Sequence, residues 1–151
     1  MIEKLLNKNV HTAKEMQSVF QDSYKVEAAL LKASNFPPLS RALVDYIEAD
    51  SEFFGYRKNE TLAGVVEIIH YTSYIHIRSL VVHPTFFRQG IARQLMQFVL
   101  DNHTTTLFVV ETGVDNGPAT NLYKKLGFIE TKQWETDHGI RKVKFELPRI
   151  N

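Results

Sequence analysis

Residues 83–100 read HPTFFRQGIARQLMQFVL. One glycine, Gly90, stands where extended sequence gives way to helical periodicity, with Arg88 and Arg93 close by. From about Gly90 to Asn102 the residues Ile91, Leu95, Phe98 and Val99 form one apolar stripe, and Arg93, Gln94, Gln97 and Asp101 fall largely opposite, which predicts an amphipathic helix. Before it, YIHIRSLVV alternates and is rich in β-branched residues, the pattern of a strand. After it, TLFVVET has the apolar run of a buried strand. Two strands joined by a helical crossover are expected to lie parallel and adjacent.

Outward from this unit the remaining elements follow. A short strand is expected near residues 2 to 7, then a helix from about His11 to Lys32 on Val19, Phe20, Val26, Ala29 and Leu30. SNFPPLS breaks that helix, and a shorter one is expected from Arg41 to Glu48. SEFFGYRKN and LAGVVEIIHY read as strands joined by a turn at Asn59 and Glu60, and the polar link TSY suits an antiparallel pairing with the strand after it. PATNLYKKL reads as a helix ended by Gly127, and FIETKQWE with IRKVKFEL as a closing pair of strands. The order β-α-α-β-β-β-α-β-α-β-β predicts an α/β fold of the α+β type, with about four helices over a largely antiparallel, mixed sheet of about seven strands. The last strand is expected either to pair across a homodimer or to finish the sheet.

Composition bounds the function. At 151 residues one domain spanning residues 1 to 151 is expected, long enough to bury a core without disulfides or metal. The 18 basic and 17 acidic residues give a net charge of +1 with no long block of either sign, which argues against nucleic-acid binding. The absence of cysteine excludes disulfides, thiolate-ligated zinc and thiol nucleophiles and is compatible with a reducing cytosol. The opening MIEKLLNKNV has no signal pattern, and no apolar run approaches the ~18 residues that cross a bilayer, so a cytoplasmic protein with no membrane partner is expected. His70, His76 and His83 are spaced irregularly, and no metal is expected.

The first N–H groups of a helix lack partners within it, and its dipole is positive there. A glycine at that point lets an anion approach the backbone closely, so FFRQGIAR is a candidate phosphate cradle with Arg88 and Arg93 adding charge. It is not a P-loop, since IARQ rather than Gly-Lys-Ser/Thr follows, nor a Rossmann loop, which needs three glycines.

LVVHPTFFRQGIARQLM resembles the acyl-CoA motif of the GNAT superfamily of N-acetyltransferases, Gln or Arg, two variable residues, Gly, one variable residue, then Gly or Ala. Gly90 and Ala92 match the last two fixed positions, and Phe87 departs from the first. NGPATNLYKKLGF is similar to the family's second signature through Asn116, Ala119, Leu122, Tyr123, Gly127 and Phe128. The resemblance covers nearly the whole chain, the first 50 residues in pattern only. It implies acetyl-CoA as co-substrate, its pyrophosphate on the backbone of Phe87, Arg88, Gln89, Gly90, Ile91, Ala92 and Arg93. It also implies a pantetheine arm along Leu80, Val81 and Val82 like an added strand, and acetyl transfer to a primary amine of a small molecule or peptide by direct attack in a ternary complex. A catalytically silent CoA-binding regulatory module is the alternative.

Such a transfer requires a proton for the leaving thiolate, and the resemblance places Tyr123 there, a phenol of ordinary pKa about 10. By spacing alone Tyr123 also fits an apolar stripe with Ala119, Leu122 and Leu126. Asn116 is either a helix cap or, as the family implies, a cofactor contact. An alkylammonium acceptor with a pKa of about 10.4 must lose a proton, and His76, Glu67, Glu111 or an ordered water could take it. By alternation Tyr74, His76, Arg78 and Leu80 share a face, and Glu67 either carries a raised pKa or faces solvent. Glu111 could equally bind the ammonium. Phe36, Pro37 and Pro38 are expected to form a stiff apolar lip on the acceptor side.

Overall fold

The computed structural model of the chain describes residues 1–150. The strands are β1 (Ile2–Leu5), β2 (Glu52–Lys58), β3 (Thr61–His70), β4 (Ile75–Val82), β5 (Leu107–Gly113), β6 (Ile129–Glu135) and β7 (Arg141–Pro148). The helices are α1 (Val10–Leu30), α2 (Leu43–Ile47), α3 (Ile91–Asn102) and α4 (Gly117–Lys125), with single 3₁₀ turns at Pro37–Ser40 and Pro84–Phe86. The strands form one sheet in the order β1-β2-β3-β4-β5-β7-β6, antiparallel throughout except for the parallel contact of β4 with β5. That is the mixed, largely antiparallel seven-stranded fold expected, with the parallel neighbours on either side of α3.

The core lies in two layers. On one face α3 and α4 pack Ile91, Leu95, Met96, Val99 and Tyr123 against Phe54, Val66, Ile68, Ile77, Phe108 and Phe145. On the other, α1 packs Ala13, Met16, Val19 and Phe20 against Phe53, Leu62, Val65 and Val81, with Tyr46 of α2. Each fully buried aliphatic or aromatic side chain contributes about 1.5–3 kcal/mol. Glycine sets how closely α3 approaches: a Cβ on Gly64 would lie 2.9 Å from Ile91 Cγ2 and 3.1 Å from the Val81 carbonyl oxygen.

Three expectations need correction. In α1, Val26 and Leu30 are exposed and the sheet-facing line runs instead through Met16, Phe20 and Ala28. Tyr24 continues that line, its ring edge-on to Phe20 at 5.7 Å, so the helix buries an amphipathic tyrosine where the apolar pattern pointed elsewhere. β7 lies between β5 and β6 and is hydrogen-bonded on both edges, so it neither offers an edge for pairing across a dimer nor finishes the sheet, which ends at β6. The shared face of His76, Arg78 and Leu80 is broken as well. Glu67 pairs with Ser79 and the next residue, Ile68, with Ile77, so Arg78 is an extra residue in β4. A β-bulge shifts the alternation by one: Ser79 turns toward α1, where Tyr24 donates to it at 3.3 Å, and Leu80 joins the α3 layer.

Candidate active site

Beyond the bulge the sheet opens. β5 pairs with β4 only at Ile75, His76 and Ile77, although β4 runs on to Val82 and β5 to Gly113. The edge of Arg78–Val82 that faces β5 therefore carries no strand partner. A cavity of about 450 Å³ lies at this divergence. Its walls are Ile77 to Leu80 of β4, Val110 to Gly113 of β5, Tyr24, Glu27 and Leu31 from α1 and its end, and Asn116, Ala119 and Tyr123 of α4. Phe36, Pro37 and Pro38 form one lip, as the sequence suggests, with the Phe36 ring edge-on to Tyr24 at 5.7 Å.

Near the end of β4 the chain makes the turn that begins α3. Gly90 is the N-cap at φ 75°, and Arg88, two residues earlier, is also left-handed at φ 63°. A non-glycine residue held there costs of order 1 kcal/mol or more, which the surrounding contacts must offset. His83 supplies one of them, accepting from the Thr85 N–H at 3.1 Å and meeting Asp22 Oδ2 of α1 at 3.1 Å. Lys58 contacts the Gln89 side chain. The first helical bond runs from the Gln94 N–H to the Gly90 carbonyl, and among the described residues nothing accepts from the N–H groups of residues 88 to 93. Six successive free donors, at the positive end of a 12-residue helix and flanked by arginines, form an anion seat. Phe87 is exposed beside it.

Tyr123 is buried to 4% exposure between Phe128 and Phe145, with ring centroids 5.9 and 5.8 Å away. Burial, then the charge of Glu27, pushes its phenol well above the ordinary value, so it stays protonated near neutrality. Its hydroxyl has no hydrogen-bond partner among the described residues. Asn116 caps α4, accepting from the Ala119 N–H at 3.2 Å, and its amide reaches Thr112 Oγ1 at 3.4 Å. The cap is thus present, and the same side chain lines the cavity.

The three base candidates separate. Glu67 is fully buried and outside the cavity wall. It accepts a bidentate pair from Arg41 at 2.8 and 3.0 Å, and hydroxyl bonds from Ser51 at 2.5 Å and Ser79 at 2.9 Å, with Arg78 3.7 Å away. Burial raises its pKa, but Arg41's hydrogen bonds and charge, with Ser51, outweigh that and hold it below the ordinary carboxylate range. Neither a raised pKa nor a solvent-facing carboxylate is found. Its neighbours come from α2's approach, β2's approach and β4, segments that no local pattern joins. His76 and Glu111, by contrast, both line the cavity. Burial lowers the imidazole's pKa, with the charge of Glu111 opposing, so His76 is neutral at pH 7. Glu111 has Lys142 Nζ 3.8 Å away.

Glu27 was not anticipated. It lines the cavity, forms no hydrogen bond or ion pair among the described residues, and burial raises its pKa, with Lys142 opposing. The available signal was spacing: Phe20, Tyr24 and Glu27 fall at intervals of four and three, so a polar pair continues an apolar line toward the sheet. His138 and Lys142, brought in by the β6–β7 hairpin, also escaped sequence reading.

Known proteins bear on this geometry. Residues 8–148 match the family model described as the acetyltransferase (GNAT) domain. The chain is 35% identical over 148 residues to UPF0157 protein YqkA of Bacillus subtilis (strain 168), covering 97% of this chain and 43% of that protein, so it spans about two fifths of the curated relative's length. Among solved structures, the ribosomal-protein-S18-alanine N-acetyltransferase from Escherichia coli superposes with TM-score 0.77 at 19% identity, over 98% of this chain and 92% of that one. YncA from Salmonella typhimurium, solved with its cofactor acetyl-CoA, gives 0.75 at 14% identity, over 98% and 92%. At those identities the likeness establishes the fold, and the match over residues 8–148 establishes the family: this chain belongs to the GNAT acetyltransferases.

Proposed function

We propose that the chain acts as one acetyltransferase domain, moving the acetyl group of acetyl-CoA to a primary amine of a small molecule or peptide in a ternary complex. The observation that carries this reading is the divergence of β4 from β5 directly upstream of a helix start with six free N–H donors. An extended arm fits the unpaired edge of Leu80, Val81 and Val82, adding a strand by backbone bonding. A diphosphate fits the N–H groups of Arg88 to Arg93, with both arginine side chains adding charge. Phe87 contributes its backbone and an apolar surface in place of the usual polar side chain.

The acceptor then enters between the Phe36 lip and β5. Glu27, a half-buried carboxylate of the cavity wall with no ion-pair partner among the described residues, recognises the ammonium. Neutral His76 takes a proton from the ammonium, which frees the amine lone pair to attack, and Glu111 stabilises the imidazolium that results. The backbone N–H groups at the open edge polarise the thioester carbonyl. The tetrahedral intermediate collapses, the C–S bond breaks, Tyr123 delivers its proton to the departing thiolate, and the phenol is restored by the proton that the acylated nitrogen gives up. Glu67 is a positioning residue. It fixes Arg41, Ser79 and the bulge, and so the direction in which the open edge points.

Thiol release from acetyl-CoA across polyamines, amino acids, aminoglycosides and peptides tests the activity, and a thermal-shift titration with CoA tests the cofactor separately. Stabilisation by CoA with release for at least one amine class is expected. Stabilisation with no release for any class would favour a silent CoA-binding module, and no stabilisation at all would remove both readings.

A further inference from the structure

The opposite end of α3 from the anion seat carries a second cluster. Glu52 begins β2, His70 ends β3 and His103 immediately follows α3. They are 18 and 33 residues apart in sequence, yet one ligand atom from each lies within 4.8 Å of the other two. Glu52 Oε1 meets His70 Nε2 at 2.5 Å, and the His70 and His103 rings are 5.6 Å apart between centroids. We propose that these three side chains bind a divalent transition-metal ion of the zinc class, with water completing the coordination.

Three details support a prepared site. His103 Nδ1 lies 3.0 Å from the Val99 carbonyl, an acceptor only, so Nδ1 carries the proton and Nε2 keeps a free lone pair for a metal. Such a carbonyl behind the second ring nitrogen is the usual outer support of a ligating histidine. The Phe54 ring, edge-on at 5.5 Å, holds the imidazole in place. Lys4 pairs at 3.0 Å with the other Glu52 oxygen, Oε2, so it balances charge without occupying the oxygen that faces His70. Two imidazoles and one carboxylate suit zinc-class ions and not calcium or magnesium, which prefer all-oxygen sites. The cluster is partly exposed and an ion can reach it. Bound there, the ion would tie β2, β3 and the end of α3 together, outside the reaction itself. The absence of a metal, expected from His70, His76 and His83 along the chain, is revised by this proposal.

The test uses the untagged full chain after chelator treatment. Cobalt(II) is titrated by visible absorption and zinc(II) by calorimetry. One equivalent per chain is expected, with tetrahedral-type cobalt bands and a zinc-dependent rise in Tm. His103→Gln, His70→Gln and Glu52→Gln, each checked for a native circular dichroism spectrum, should weaken zinc by at least about tenfold. His138→Gln, on a different hairpin, should leave it unchanged. Should any variant fail to fold, the histidine ring ¹⁵N resonances of the parent still decide, because bound zinc(II) must shift those of His70 and His103 and leave that of His138 in place. No saturable binding in the parent, or the same affinity in all the folded variants, would overturn the proposal.

Discussion

The two halves of β4 are built from similar residues and do different things. From Ile75 to Ile77 the strand is paired on both edges, and Ile75 and Ile77 are core. From Arg78 to Val82 it keeps β3 but leaves β5, and the edge lies open to the cavity. The change is made by one inserted residue, Arg78, and by a buried carboxylate, Glu67, that accepts from the adjacent Ser79 and lies 3.7 Å from the Arg78 guanidinium. The lesson is that the binding edge is held open by the stability of its surroundings. An unpaired edge is a liability, tolerated here because the bulge turns it into a cleft.

The harshest way to break the contrast is to remove the clamp. Glu67→Ala leaves the Arg41 guanidinium, 11% exposed, without its partner, and should cost about 4 kcal/mol in denaturant unfolding. The sign with pH follows from the lowered pKa. Glu67 contributes stability that is present above its unfolded value of about 4.3 and lost as pH falls through its lower folded value. The difference between parent and Glu67→Gln should therefore be full at pH 7 and shrink in acid; a difference that grew on acidification would contradict the clamp.

Two substitutions sharpen the open half without touching the closed one. Gly90→Glu puts a side chain at φ 75° and a negative charge on the anion seat, and CoA affinity by calorimetry should fall by about a hundredfold or more. Tyr123→Phe should lower kcat by about a hundredfold with little change in KM, provided chemistry limits the rate; an unchanged kcat would remove the phenol from the proton path. Smaller effects belong to the acceptor side. Glu27→Gln should raise the acceptor KM by about tenfold while CoA affinity stays level. The His76 imidazole predicts that kcat falls as pH drops through a value below about 6.5, a limb that His76→Gln should flatten.

Much of the fold was legible because its signals are local. Gly90 marked the α3 cap, the apolar run of β5 marked its burial, and the crossover between them required the parallel pair. Asn59 and Glu60, both at positive φ, form the turn expected between β2 and β3. What could not be read depends on contacts between distant segments. The bulge at Arg78 carries no glycine or proline to announce it, so simple alternation puts Leu80 on the wrong face. Glu67 looked like an isolated strand carboxylate because Arg41, Ser51 and Ser79 reach it from three separate segments. Of the site, His76, Glu111, Asn116 and Tyr123 were singled out from sequence and meet at one cavity, whereas Glu27 was hidden in a helix whose apolar line was drawn one face away.

The central claim is that CoA lies along the open half of β4 and on the helix start at Gly90. Amide chemical shifts of the ¹⁵N-labelled protein, followed as CoA is added, test it residue by residue. The account predicts saturable shifts concentrated at residues 79–82 and 88–93, with Ile75 to Ile77 little moved. Saturable binding whose largest shifts fell elsewhere, leaving both of those stretches unchanged, would contradict it.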